Sequence, residues 1–78
     1  MPEVAELRVQ PQDLLAEQSV LGSIFISPDK LIAVREFISS DDFYKYAHKI
    51  IFRAMITLSD LNDAIDATTV RAILDNQG

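Results

Sequence analysis

The sequence predicts an all-α fold, a small orthogonal helical bundle of four main helices plus short turns. Three observations carry this. Apolar residues recur at three- and four-residue spacings over most of residues 13–78. No run of four or more residues alternates apolar with polar as a half-buried strand does. Helix-start signals, an acid or hydroxyl residue ahead of an apolar period, stand at Asp13, Ser27, Ser40 and Asp66 or Thr68. With 49% hydrophobic and 24% charged residues in a 78-residue chain, the composition is that of one folded domain and not of a disordered segment.

Residues 1–12 carry two prolines and no sustained apolar period, and predict a flexible N-terminal arm ahead of a helical domain over 13–78. Asp13 caps the first helix, whose apolar arc is Leu14, Leu21 and Phe25, widened by Leu15, Val20 and Ile24. Pro28 ends it near Ser27. Ser27-Pro28-Asp29 then reads as a Ser N-cap, a Pro at the first helical position and an adjacent acid, opening a second helix whose apolar face is formed by Leu31, Val34 and Ile38 with Phe37 beside them. Ser39-Ser40 closes that helix, and Ser40-Asp41-Asp42-Phe43 starts a short turn. The central helix spans about 44–61, with Ala47, Ile50, Ile51, Ala54, Leu58 and Leu61 on one face and Phe52, Met55 and Ile56 extending it to roughly 240° of the circumference. Such a helix needs neighbours on two sides. Asn62-Asp63 forms a turn, Ile65 a buried plug, and a last helix presents Val70, Ile73 and Leu74 before a stop at Gly78.

The function classes that remain are narrow. The chain has no Cys and one His, which excludes disulfide scaffolds and zinc sites of three or four Cys/His ligands and leaves only carboxylate-rich metal sites. Its net charge of −5 argues for protein partners over nucleic acid. No apolar stretch reaches the roughly 18–20 residues of a membrane span, and Glu3 and Glu6 stand where a signal peptide would be basic, so a cytoplasmic protein is expected. So small a core predicts support from a longer chain or an oligomer.

Each candidate site residue has a structural reading beside a chemical one. With Gly22 and Gly78 as the only glycines, no phosphate-cradling loop exists. His48 could serve a hydrolase, but at the edge of an apolar face it reads first as a packed, hydrogen-bonded histidine. Asp29, Asp41, Asp42 and Asp66 could pair as catalytic or magnesium-binding carboxylates, yet each stands at a helix start, where capping explains it. Lys45, Lys49 and Arg53 form one stripe, either a phosphate track or a solvated face. Glu17 and Gln18 fall inside the apolar arc of the first helix. They are expected to be hydrogen-bonded to a loop or to His48, or else to meet another subunit. Gly22, costly within a helix, predicts a second helix passing close.

The segments Ala16-Glu17-Gln18-Ser19-Val20-Leu21-Gly22, Asp41-Asp42-Phe43-Tyr44, His48 with Ile51-Phe52, Ile65-Asp66 and Leu74, preceded by Pro11, together resemble the N-terminal domain of the bacterial replicative DNA helicase, the DnaB family. The likeness covers about residues 8–78 and places Glu17, Gln18, Gly22, Asp42, Phe43, His48, Phe52 and Asp66 in the family motif. It implies a noncatalytic domain of a hexameric helicase that unwinds DNA at the replication fork. The collar that such domains form supports ring assembly and engages primase, and a helicase loader is a further possible partner. The family domain continues into a helical hairpin and an ATPase motor, both beyond this sequence. The resemblance therefore implies no cofactor here, with ATP and magnesium confined to the motor, and DNA engaged mainly by the full ring. Two other readings stand beside it: an independent acidic helical interaction module, and the helicase-binding domain of primase, which the start Met1-Pro2 disfavours. A helix-turn-helix DNA binder fits less well, since the last helix has a single basic residue, Arg71.

Overall fold

The computed structural model describes residues 13–76, and the expected arm over 1–12, Pro11 within it, and the stop at Gly78 lie outside those residues. Four helices run in the order α1 (Leu14–Ile26), α2 (Lys30–Phe37), a 3₁₀ turn (Ser40–Asp42), α3 (Tyr46–Asp60) and α4 (Ala67–Asn76), and no strand occurs among the described residues. The all-α bundle is what the apolar periods require.

α3 is central, packing against α1, α2, the 3₁₀ turn and α4. Its fully buried positions are His48, Phe52, Ala54, Met55 and Leu58, with Ile50 and Ile56 half-buried at the flanks. Phe52 and Met55, expected on the edge of its apolar face, are thus the middle of it. Ala47 and the C-capping Leu61 are exposed instead, because they lie at the helix ends, beyond the reach of its neighbours. Leu21 and Ile24 of α1, Leu31 of α2, Phe43, Ile65 and Val70 of α4 complete the core.

The helix ends follow from short polar residues. Asp13 accepts from the N–H of Ala16 at 3.1 Å to start α1. Ser27 does not cap α2: its carbonyl and that of Pro28 accept from Lys30 and Leu31 in a turn, so Asp29 becomes the N-cap, without a side-chain bond. Ser39 and Asp42 form a reciprocal capping box around the 3₁₀ turn. α3 ends in a Schellman motif: Asp63 donates to the Leu58 carbonyl and Asn62 to that of Ser59, with Asn62 at φ 57°. Asp66 and Thr69 exchange bonds at 2.9 and 3.0 Å to open α4. Phe37, assigned to the inner face of α2, is 84% exposed, because the chain leaves the helix there and Ile38 turns inward in its place.

Candidate functional site

Glu17 lies one turn into α1 on the side that faces α3. Its Oε2 accepts from the N–H of Tyr44 at 2.6 Å, and its Oε1 accepts from His48 Nδ1 at 2.7 Å and, more distantly, from the N–H of Lys45 at 3.4 Å. Both side chains are about nine-tenths buried. A carboxylate can only accept, so His48 carries a proton on Nδ1. Burial by itself would raise the Glu17 carboxyl. The bonds from His48, Tyr44 and Lys45, with the attraction of a charged imidazole, outweigh it and hold the group below its ordinary value. The N–H groups of Tyr44 and Lys45 precede α3 and have no intrahelical carbonyl to meet, so Glu17 satisfies them and pins the link that leads into this helix. Its partner His48 meets Phe43 edge-on at a centroid distance of 6.3 Å, and Phe43 packs on Phe52 at 5.1 Å.

This is a structural latch. It holds α1, the Phe43–Lys45 link and α3 in one register, and among the described residues no hydroxyl is hydrogen-bonded to the imidazole. Of the expected polar pair only Glu17 belongs to it. Gln18 is exposed, because one residue along a helix turns the side chain by about 100°. The close helix expected at Gly22 is also absent among the described residues, where a Cβ would meet nothing within 4 Å.

The basic stripe is mostly engaged with the 3₁₀ turn. Lys49 Nζ donates to the Asp41 carbonyl at 3.1 Å, Arg53 Nε donates to Ser40 Oγ at 3.1 Å, and Arg53 pairs with Asp41 at 3.6 Å. Lys45 alone of the three makes no such contact through its side chain among the described residues. Asp42 accepts from the Ser39 N–H at 2.8 Å, and Arg35 of α2 pairs with Asp60 of α3 at 3.0 Å. Asp42 and Asp66 cap helix starts and Asp41 pairs with Arg53, while Asp29 stands at its helix start without a side-chain bond, and no group of three metal-ligating side chains assembles among the described residues.

Residues 9–78 match the family described as the DnaB-like helicase N terminal domain. The chain belongs to this family. It is 40% identical over 74 residues to the replicative DNA helicase DnaB of Geobacillus stearothermophilus, covering 95% of this chain and 16% of that protein. It is 45% identical over 71 residues to the DnaB of Mycobacterium leprae, covering 91% and 12%. To the replicative DNA helicase DnaC of Bacillus subtilis it is 40% identical over 76 residues, covering 97% and 17%. The chain thus spans between about an eighth and a sixth of the length of these relatives. No helix among the described residues of this DnaB-like domain is long and apolar enough to cross a membrane.

The sequence placed Glu17 and His48 as polar residues on apolar faces, which is the visible sign of their bond. The backbone donors of Tyr44 and Lys45 have no such sign, since an N–H group is common to nearly every residue. Leu15, expected to widen the apolar arc of α1, is 76% exposed instead, because α3 covers only the opposite side of the helix.

Proposed function

We propose that this chain is the noncatalytic N-terminal domain of a hexameric replicative DNA helicase, and that it works through contacts with neighbouring subunits and with primase. One observation carries the reading: the domain commits its chemistry inward and its apolar surface outward. Ten apolar side chains are buried, yet seven large hydrophobic residues, among them Leu15, Ile26, Ile32 and Phe37, stand 59–85% exposed. Large hydrophobic residues left exposed on so small a domain support a role in contacts with other chains. Asp13, Asp42 and Asp66, meanwhile, cap helices, and His48 is bonded to Glu17. ATP and magnesium belong to a motor domain in this reading, because the sequence offers no glycine-rich loop to hold a phosphate. The cytoplasm is the compartment in which such a domain would act.

The test joins this chain to a replicative helicase motor and compares ring assembly with and without it by sedimentation. Hexamers should form at lower subunit concentration when the domain is present, and a labelled primase fragment should bind only that form. Equal assembly of both forms would overturn the reading.

A further inference from the structure

The latch holds in place a link whose own side chains face solvent. Phe43 is sunk in the core, Glu17 accepts from the N–H groups of Tyr44 and Lys45, and the Lys45 carbonyl accepts from the N–H groups of His48 and Lys49 at 2.9 and 3.1 Å. The backbone leading into α3 is therefore fixed on both sides of Lys45. Yet Tyr44 and Tyr46 stand 59% and 68% exposed, and Lys45 between them is exposed with no side-chain hydrogen bond or ion pair among the described residues. Exposed tyrosines on a fixed backbone bind at low ordering cost, because each ring brings a large contact area with few rotatable bonds.

The same surface continues along the first turns of α3. Tyr46, Lys49, Ile50 and Arg53 fall within about 100° of arc at 100° per residue, on the side away from the buried His48, Phe52 and Met55. Lys45, Lys49 and Arg53 follow one another at intervals of about 6 Å along the axis, so three of the seven basic residues of a chain with net charge −5 gather on one face. Cations beside exposed aromatic rings call for a partner that carries carboxylates next to apolar side chains. Glutamates four residues apart on a helix have that same spacing of about 6 Å, whereas a nucleic-acid strand carries one charge per about 3.4 Å. Asp41 sits against Arg53 at 3.6 Å with both side chains exposed, and such a pair is weak enough for a partner's carboxylate to take its place. We infer that the start of α3, from Tyr44 to Arg53, docks an acidic amphipathic helix of another protein, its carboxylates on Lys45, Lys49 and Arg53 and its apolar side chains on Tyr44, Tyr46 and Ile50. The face is about 17 Å long, which suits one helix of about three turns rather than a whole domain. The inference rests on the reading of the domain as a contact module and names the chemistry of one partner.

The test follows the amide resonances of the isotope-labelled chain by NMR as a helical peptide is added at about 50 mM salt. The probe has about 15 residues, the length at which an isolated helix begins to hold, with Glu at every fourth position beside Leu. Two control peptides replace each Glu by Gln or by Lys, and a short oligothymidylate stands for nucleic acid. The Glu peptide should shift the resonances of residues 44–53 and bind about two- to tenfold more tightly than the Gln peptide, while the Lys peptide leaves these resonances in place. Lys45→Gln and Tyr46→Ser alter exposed side chains, so the melting midpoint should stay nearly unchanged while the Glu peptide binds at least about twofold more weakly. Asp41→Asn removes the competing carboxylate and should tighten binding by about twofold. Equal binding of the Glu and Gln peptides, shifts centred elsewhere, or no shift at about 1 mM peptide would each overturn the inference. So would oligothymidylate that moves residues 44–53 as strongly as the Glu peptide, which would make this a nucleic-acid face. If the peptide fails while ring assembly still depends on the domain, only this face is rejected and the contact reading stands.

Discussion

Replacing Glu17 by Ala removes an acceptor that serves three donors at once. Two of its bonds, at 2.6 and 2.7 Å, are short and charge-assisted, and the third, at 3.4 Å, is weak. Hydrogen bonds to a charged group contribute about 1.5–3 kcal/mol each. Water can reach the exposed link at Tyr44 and Lys45 and recover part of that loss, whereas the buried Nδ1 of His48 keeps none. The expected destabilisation is about 3 kcal/mol, which for a domain of this size lowers the thermal midpoint by about 12 °C or more. Glu17→Gln preserves the volume but presents an amide NH₂ where an N–H points at it, and should cost about 1–2 kcal/mol. Urea unfolding followed by helical circular dichroism measures both. A double-mutant cycle with His48→Gln should return a coupling of about 1–2 kcal/mol. The pH dependence fixes the sign. The folded carboxyl lies below its ordinary 4.5, so its contribution is full above that pH and is lost as the pH falls through the depressed folded value. The gap in stability between the natural chain and Glu17→Gln should therefore narrow on acidification. A gap that stays constant down to about pH 2.5, or a loss below about 0.5 kcal/mol for Glu17→Ala, would refute the latch.

Phe52→Ala empties the centre of the core and should cost about 3–5 kcal/mol, leaving the chain largely unfolded by circular dichroism at 25 °C; a cooperative melt near the natural midpoint would contradict its placement. Gly22→Ala meets no atom within 4 Å and should stabilise the chain by about 0.8–1 kcal/mol, seen as a raised midpoint. Adding ATP should leave the melting curve unchanged, and a shift that a substitution in this chain removes would count against a noncatalytic domain. Fluorescent single-stranded DNA at about 50 mM salt should show no appreciable binding, because Lys49 and Arg53 are tied to the 3₁₀ turn; micromolar affinity lost on neutralising Lys45, Lys49 and Arg53 would promote the stripe to a strand-guiding site.

The sequence by itself determined the class, the number of helices and most of their ends. Periods of three and four residues and short-range caps are local quantities: Asp13 and Ala16, Ser39 and Asp42, Asp66 and Thr69 lie within one turn of each other, so their bonds are written in neighbouring letters. The motif residues also carried the family. What only the tertiary structure decided is which of several apolar faces is covered. Phe37 and Leu15 have the same hydrophobicity signal as Leu31 and Leu21, and burial separates them only because α3 lies on one side of α1 and α2 and solvent on the other. The latch needed the fold for the same reason. Glu17 and His48 are 31 residues apart, and the backbone donors that complete the site become available only when α1 is laid against the start of α3. Sequence periodicity marks a residue as able to be buried, and three-dimensional packing chooses what buries it.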